Sequence, residues 1–424
     1  MNKKLKFLSI FFLGINSIIG SGIFLLPSEI YKNVGLGCFL TIVIAGSLAF
    51  GLSLCFAECA SRFTQDGSAF LYCKNAFGGL MGFEVGIFTW LVSIISWAAE
   101  TQGFITILSS LYPTFKDPFY NKVAVLVISI TLGILNYFGV KFSKILNNLI
   151  TVTKLIPLLL FIIIGIFYIH LGDFSHITRD TVNIIFNKNF GSSILIIFYA
   201  FTGFDLLAIA AEDMDNPQKN LPRALIGVIS FCCLFYLLIF VVSIGICGES
   251  LSHTNVPIAY ATYKILGKIG FTIVTITTLI SIGGVTIALS FIGPRSGVAM
   301  AEEGYLPKAL NKQTKYGAPG ISILITTTLV VLCACLGNFI YLASLTVVAR
   351  FIEYIPTALA VLVLRKKYKN TPPGYKIPFG DIIPLFSIIL SIIIFFFADF
   401  NSILIIFAII FINFFIFYFK KLKL

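Results

Sequence analysis

Long apolar runs recur along the whole chain and are separated by short polar breaks. A helix that crosses the hydrocarbon core of a bilayer needs about 20 predominantly apolar residues, and most of these runs reach that length. Within the runs, apolar and polar residues do not alternate as they do in the strands of a membrane β-barrel. The pattern therefore predicts twelve transmembrane helices, at about 7–31, 36–61, 80–110, 121–139, 147–169, 190–211, 224–247, 271–292, 320–337, 340–364, 380–397 and 399–419.

The composition agrees with this pattern. Of the 424 residues, 58% are hydrophobic and 11% are charged, and the mean hydropathy is +1.00. Soluble domains are about 45–50% apolar and about 25% charged, so we exclude a soluble enzyme, a nucleic-acid-binding protein and a secreted disulfide scaffold. Because helices satisfy their own backbone hydrogen bonds in lipid, we expect residues 1–424 to form one all-α integral membrane domain.

Lysine and arginine are distributed unevenly between the two ends of the predicted helices. Of the 30 such residues, 21 lie at the ends that share a side with both termini, and 7 lie at the opposite ends. Cytoplasmic loops of membrane proteins carry this kind of positive excess. We therefore expect a multi-pass protein of the cell membrane, embedded in the lipid bilayer, with both termini in the cytoplasm.

Two of the predicted helices are interrupted near their middle. Gly20-Ser21-Gly22 lies within the first and Thr202-Gly203-Phe204 within the sixth. The first and sixth helices are the corresponding first members of two five-helix halves, at about 7–169 and 190–364, with accessory helices at about 380–419. Paired interruptions of this kind are typical of inverted-repeat transporters with a site at the membrane midplane. The alternative is that these small residues only allow close helix packing.

A broken helix offers two charged ends inside the membrane. The half that begins after Gly20-Ser21-Gly22 would present free N–H groups and a positive dipole end, which suit a carboxylate. The half before the break would end in free carbonyl groups, which suit an ammonium group. An amino acid carries both groups, so this arrangement predicts an amino acid as the substrate.

Four segments resemble one known family. The sequence resembles the amino acid–polyamine–organocation superfamily, the amino acid permeases with the LeuT-type fold, over nearly its whole length. The segments that carry the resemblance are Gly20-Ser21-Gly22-Ile23-Phe24, Ala57-Glu58 to Phe70, Glu212 to Ala224 with Asn216-Pro217 and Pro222-Arg223, and Ala301 to Pro307. The chain departs from the family pattern at Thr64 and Ser68, away from the predicted site.

The resemblance implies a LeuT-type 5+5 inverted repeat with broken helices 1 and 6 and a substrate between them. It places the substrate carboxylate on Ser21 and on the amides of Gly20 and Gly22. It places the substrate ammonium group on backbone carbonyls, those of Ile18, Tyr199 and Thr202. Tyr199 aligns with the gating aromatic residue of the family. Three further aromatic residues are candidates for the pocket wall, although ordinary core packing is the alternative for each: Trp97, Phe201 and Phe204.

Lys154 is the most informative single charge. It lies about two turns into the fifth predicted helix, where an unpaired charge is costly and function is the default interpretation. In relatives, a lysine here stands where sodium-dependent proteins bind sodium, and in some it couples transport to protons. The alternative is that Lys154 extends to the cytoplasmic interface. Asp205, just after the second break, is a second candidate for proton coupling or for contact with a cationic side chain.

The other charges within the predicted helices favour structural roles. Glu58 and Arg62 are spaced i,i+4, and Arg350 and Glu353 are spaced i,i+3, which suits ion pairs on one helix face. Glu100 has no partner nearby in the sequence. Together with Asp205 it slightly favours neutral or cationic amino acids as substrates.

The sequence thus favours a secondary amino acid transporter, and a proton-coupled symporter in particular. An amino acid or polyamine exchanger is the main alternative, and an amino acid sensor that does not transport is a weaker one. An enzyme is not indicated, because HExxH, GxSxG and P-loop motifs are absent from the sequence. The nine cysteines form no CxxC pair, and neither a cofactor nor a metal is predicted. The identity of the amino acid and the oligomeric state stay open.

Overall fold

Regular structure in this protein is helical throughout the part of the chain that the computed structural model describes, which is residues 6–63, 69–139, 144–174, 188–209, 214–371 and 373–421. Thr64, Ser68 and Glu212 lie outside these ranges. The α-helices are α1 Phe7–Ile18, α2 Ser21–Val34, α3 Cys38–Ala60, α4 Ala69–Phe77, α5 Gly79–Leu111, α6 Pro118–Tyr137, α7 Lys144–Gly165, α8 Lys188–Phe198, α9 Asp205–Ile209, α10 Pro217–Cys247, α11 Pro257–Glu302, α12 Gly320–Leu336, α13 Phe339–Lys367, α14 Ile382–Phe395 and α15 Phe400–Lys421.

Each of the twelve predicted stretches contains a helix. Among the described residues, nine helical stretches are long and apolar enough to cross a membrane, and three shorter apolar helices, α1, α12 and α14, accompany them. The all-helical class and the multi-pass character are therefore confirmed.

Two helical segments lie where loops were expected. α4 has only nine residues and includes Lys74 and Asn75, so its hydropathy falls below that of a membrane span. α11 begins at Pro257, well before the predicted position, and is divided at Gly267, whose φ of 63° is not helical. α4 and the part of α11 before Gly267 are each too short to give the long apolar run from which a membrane helix is predicted.

The first helix break falls slightly before its predicted position. α1 ends at Ile18, Ile19 and Gly20 have non-helical dihedral angles, and Ser21 already begins α2. The break is therefore two residues long and does not include Ser21 or Gly22. A helix begins where its first N–H groups find acceptors outside the helix, and the Ser21 N–H has such an acceptor, described below.

The second break lies where the sequence predicts it. α8 ends at Phe198, a 3₁₀ turn covers Tyr199–Phe201, and α9 begins only at Asp205. Between them Gly203 has a φ of 105°, which residues with a side chain rarely adopt. A Cβ atom at this position would also overlap the carbonyl oxygen of Ser17, so glycine is required both by the backbone conformation and by the approach of α1.

The two breaks face each other in the interior of the molecule. A Cβ atom on Gly22 would lie 2.9 Å from Cα of Ala200, so the start of α2 touches the backbone of the second break directly. α5, α11 and α13 pack around this crossing. The crossing brings free helix ends to the centre of an apolar core, where any charge on them must be matched locally.

Candidate functional site

A cavity of about 540 Å³ lies at the two helix breaks. Its size is typical of a site for a small organic ligand. Its wall combines residues at both breaks with side chains from the three long helices α5, α11 and α13. The lining residues include Asn16, Ser17, Ile18, Gly20, Gly22, Ser96, Glu100, Tyr199, Ala200, Thr202, Gly203, Leu206, Val285, Leu289, Phe291, Ile292 and Arg350.

A larger groove, of about 810 Å³, lies between α6 and α12. Its wall is mainly apolar, and α6 exposes much of its surface. In a membrane such a groove faces lipid, so it is the smaller cavity, with its polar groups, that we treat as the candidate site. No group of three or more histidine, cysteine, aspartate or glutamate residues that could hold a metal lies in the described ranges.

The N-terminus of α2 holds a carboxylate from the protein itself. The backbone N–H of Ser21 donates to both carboxylate oxygens of Glu100, at 3.2 and 3.3 Å. The Ser21 hydroxyl and the Tyr199 hydroxyl each donate to Oε1 of Glu100 at 2.9 Å. Ser21 is thus an anion-binding residue in this structure, and the anion it binds is Glu100.

Glu100 reaches this position because α5 packs very closely on the break. A Cβ atom on Gly20 would lie 2.7 Å from Oε1 of Glu100, and one on Gly103 would lie 3.0 Å from Cβ of Ser21. Glu100 is 3% exposed. The small residues on both sides therefore let a carboxylate fit tightly between α5 and the start of α2.

The carbonyl end of the break holds a lysine. The Lys154 ammonium group donates to the backbone carbonyls of Asn16, at 3.1 Å, and Ile19, at 2.5 Å. Lys154 is fully buried, so it does not extend to the surface, which was the alternative considered from the sequence. It lies outside the cavity wall, behind the backbone of the break.

Two of the three carbonyls predicted to bind an ammonium group, those of Ile18 and Tyr199, already accept hydrogen bonds within the break. The Ile18 carbonyl accepts from the Gly20 N–H at 3.0 Å. The Tyr199 carbonyl accepts from the Thr202 N–H at 3.1 Å and from the Thr202 hydroxyl at 2.8 Å. Ile18, Tyr199 and Thr202 all line the cavity, and these hydrogen bonds stabilise the unwound backbone there.

Asp205 takes part in a buried three-way contact. Arg350 donates to Oδ1 of Asp205 at 2.8 Å and to the Tyr354 hydroxyl at 2.9 Å, and that hydroxyl donates to Asp205 at 2.8 Å. The expected pairing of Arg350 with Glu353 is wrong: Glu353 accepts instead from Thr89 at 3.2 Å. Arg350 turns to Asp205 because α9 brings a closer carboxylate than the next helix turn does.

The three predicted wall aromatics lie in the core beside the cavity and not in its wall. Phe201 packs on Tyr236, with ring centroids 5.1 Å apart, and Phe204 packs on Tyr354 at the same distance. Trp97 is fully buried. None of them is among the residues that line the cavity in the described structure, whereas Tyr199 is.

The predicted ion pair of Glu58 with Arg62 is confirmed, but at 3.7 Å it is longer than the contact of Glu58 with Arg365. Arg365 binds the same carboxylate with two hydrogen bonds, at 2.6 and 2.7 Å, and also binds Asp381 at 2.5 Å. This cluster joins α3 to the C-terminal end of α13 and to the segment before α14.

Glu100 is the important site residue that was not among the predicted ones. Its partner Ser21 is 79 positions away in the sequence and Tyr199 is 99 positions away, so spacing alone could not pair them. The available signal was an acid in the middle of an apolar helix, which marks a functional site by default. Ser96, one helical turn before Glu100, lines the same cavity.

Comparison with known proteins agrees with the architecture. A family model described as "Amino acid permease" matches residues 5–419. An uncharacterized transporter of Mycobacterium tuberculosis is 30% identical over 418 residues, which cover 92% of this chain and 86% of that protein.

Two relatives from Bacillus subtilis have more specific names. A methylthioribose transporter is 27% identical, with 88% of this chain and 84% of that protein covered. A serine/threonine exchanger is 26% identical, with 92% of this chain and 89% of that protein covered. The names of these relatives describe a transporter and an exchanger, in agreement with a protein that is not an enzyme. The ligands in the two names differ.

Proposed function

Because the chain belongs to the amino acid permease family, within the amino acid–polyamine–organocation superfamily, we propose that it is a secondary transporter that carries amino acids, or amines related to them, across the cell membrane. The observation that carries the proposal is the cavity between two helix breaks. Broken helices meeting at one cavity are the usual form of a substrate site in transporters of this kind. The protein is a multi-pass membrane protein, and we propose that both termini are cytoplasmic.

The mechanism that we propose is alternating access. The two five-helix halves, about 7–169 and 190–364, would form the LeuT-type inverted repeat, and the bundle that holds the breaks would rock against the remaining helices. The ligand would bind in the cavity while one side is open and leave after the other side opens. For ligand binding to be coupled to this change of conformation, the free energy of binding must differ between the two conformations.

We further propose that Lys154 couples transport to protons. Its ammonium group joins α7 to the carbonyl end of α1, and the hydrogen bonds to Asn16 and Ile19 are strongest in the protonated form. Loss of the proton would weaken the link between α7 and the break. A change in protonation would therefore change which conformation is favoured. Asp205, held by Arg350, is better suited to a structural pairing than to proton transfer.

Exchange is the second candidate, and a specific observation favours it. One relative that spans 92% of this chain is named a serine/threonine exchanger. An exchanger returns only with a second ligand, so a proton gradient alone would not drive accumulation. A sensor that binds but does not transport remains the weakest alternative.

The test is uptake into proteoliposomes that contain the purified protein. Radiolabelled amino acids and amines are supplied outside, once with an inward proton gradient and once with no gradient but unlabelled ligand inside. Accumulation driven by the gradient supports proton symport. Uptake only into preloaded vesicles supports exchange, and binding without uptake in either format contradicts transport.

A further inference from the structure

The carboxylate position at the first helix break is occupied by the protein's own Glu100. Oε1 of Glu100 accepts from the Ser21 hydroxyl and the Tyr199 hydroxyl, both at 2.9 Å, and both oxygens share the Ser21 N–H. A carboxylate on the ligand would need these same donors. While Glu100 stays in place, the Ser21 and Tyr199 donors are not available to a ligand.

The side of Glu100 that faces the start of α2 is tightly packed. A Cβ atom on Gly20 would lie 2.7 Å from Oε1 of Glu100, and Cβ of Ser21 is 3.0 Å from a Cβ placed on Gly103. α5 is therefore in direct contact with the start of α2. A second negative charge next to a buried one would also be strongly unfavourable in this low-dielectric interior.

Glu100, which lines the cavity, still has acceptor capacity on Oε2. Oε1 takes three donors, whereas Oε2 takes only the shared Ser21 N–H, at 3.2 Å, among the hydrogen bonds of the described residues. A carboxylate oxygen has two acceptor positions. Since Glu100 lines the cavity, Oε2 can accept a further hydrogen bond from a ligand there.

Ser96 provides a second acceptor at the same place. It lies four residues before Glu100 on α5, so both side chains project from the same helix face. Ser96 also lines the cavity, is 4% exposed, and its hydroxyl has no hydrogen-bond partner in the described part of the chain. A buried polar group without a partner is unfavourable unless a ligand or water completes it.

The charges around the cavity also favour a cation. Arg350, the positive side chain in the described wall, is neutralised by Asp205 at 2.8 Å. Lys154 lies behind the backbone of the break and outside the wall. Glu100 therefore has its opposite charge, Lys154, behind the break, and none that is unpaired in the described wall.

We propose that Glu100 takes the place of the ligand's carboxylate, so that the site selects a primary amine by its ammonium group and does not require a carboxylate. The ammonium group donates to Oε2 of Glu100 and to the Ser96 hydroxyl, and the rest of the ligand lies against the apolar wall formed by Leu289 and Phe291. This inference rests on the proposed function, because it concerns the same cavity. Glu100 is then the residue that determines whether the site prefers amines or amino acids.

The experiment compares matched ligands that differ only in the carboxylate. Binding of radiolabelled lysine and cadaverine, and of phenylalanine and phenethylamine, is measured on the purified protein by scintillation proximity. We expect each amine to bind at least about tenfold more tightly than its amino acid, a difference of about 1.4 kcal/mol. If the amino acids bind and the amines bind tenfold more weakly, Glu100 must move aside for a carboxylate, and the assignment is overturned.

Variants test the residue itself. Glu100→Gln keeps the size of the side chain and removes its charge, so it should remove the preference for amines. Glu84→Gln is the matched control, because Glu84 is a buried glutamate on the same helix, bound to Asn413 at 3.0 Å and outside the cavity wall. An unchanged amine preference in Glu100→Gln would overturn the assignment, and the comparison of ligands on the unaltered protein stands even if this variant does not fold.

Failure of the inference can be told apart from failure of the proposed function. Binding and transport of amino acids without amines would overturn the role of Glu100 and leave the transporter in place. If folded protein binds neither class, both the proposed function and the inference fail.

Discussion

At the scale of single residues, buried charges connect segments that are far apart in the sequence. Lys154 on α7 binds the end of α1, Glu100 on α5 binds the start of α2, and Arg350 on α13 binds Asp205 of α9. Each partner is hydrogen-bonded, which is how buried charges become tolerable in an apolar interior. The consequence is that single substitutions at these positions should have large and specific effects.

Replacing Lys154 should separate proton coupling from binding. In Lys154→Ala the carbonyls of Asn16 and Ile19 lose a charged donor, and the group that we propose to titrate is gone. We expect gradient-driven uptake to fall at least about tenfold and its dependence on pH to disappear, as measured in proteoliposomes between pH 5 and 8.

Lys264 gives a matched control for Lys154. Its ammonium group also meets helix-end carbonyls, those of Ile246 at 3.5 Å and Cys247 at 3.3 Å, but it is exposed at the surface. Lys264→Ala should retain the pH profile of the unaltered protein. A Lys154→Ala protein that is well expressed and keeps the original pH profile would exclude Lys154 as the coupling group.

Breaking the pair of Asp205 and Arg350 should destabilise the protein. Asp205→Asn leaves the Arg350 guanidinium buried without its counter-charge, which costs about 3–5 kcal/mol for pairs of this kind. We expect a clear drop in the midpoint of thermal unfolding in detergent, and a partial recovery when Arg350→Gln is added.

The exposed pair of Lys74 and Glu303 gives the contrast. Its side chains are 37% and 39% exposed, and exposed pairs contribute about 0–1 kcal/mol. Lys74→Gln should leave the unfolding midpoint almost unchanged. Equal effects of Asp205→Asn and Lys74→Gln would mean that burial of the first pair has no energetic importance.

At the scale of helices, the crossing of the two breaks depends on close backbone contact. The start of α2 touches the second break at Gly22, where a Cβ atom would lie 2.9 Å from Cα of Ala200. Backbone atoms cannot move away as a flexible side chain would. The geometry of the cavity therefore depends on the absence of a side chain at Gly22, as it does at Gly203.

Gly22→Ala should therefore disturb the site, and Gly22→Val should do so more strongly. We expect ligand binding to fall at least about tenfold in Gly22→Ala and to be lost in Gly22→Val. Gly283→Ala is the control, because a Cβ atom on this helical glycine of α11 would meet Phe104 only at 3.5 Å, an ordinary contact. Normal affinity in Gly22→Val would rule out a ligand site at this crossing.

The helices themselves could be predicted far better than the contacts between them. Each long apolar run gives a helix because hydropathy is a local property, and the second break was placed correctly because Thr202-Gly203-Phe204 is a local signal. The first break was misplaced because its end is fixed by Glu100, which caps the Ser21 N–H from another helix. The partners of Glu100 and Arg350 could not be predicted, since they depend on how distant helices pack.

At the scale of the whole molecule, the distribution of positive charge sets the orientation. With 21 of the 30 lysines and arginines on the side of the termini and 7 on the other, both ends of the chain should face the cytoplasm. Epitope tags on the two termini should be protected from protease in intact cells and cleaved in inverted vesicles. Cleavage of either tag in intact cells would contradict this orientation.

Both ends of the broken first helix are bound by side chains of the protein itself. Glu100 and Lys154 bind the two ends of the break from within the protein. In the proposed cycle, the unloaded protein thus has no exposed dipole ends that would hold it in place, and the return step does not wait for cargo. Vesicles loaded with ligand should empty into ligand-free buffer nearly as fast as into buffer that contains it. Net flow down a gradient, and not obligatory swapping of one molecule for another, is then the mode of operation to which this interior is suited.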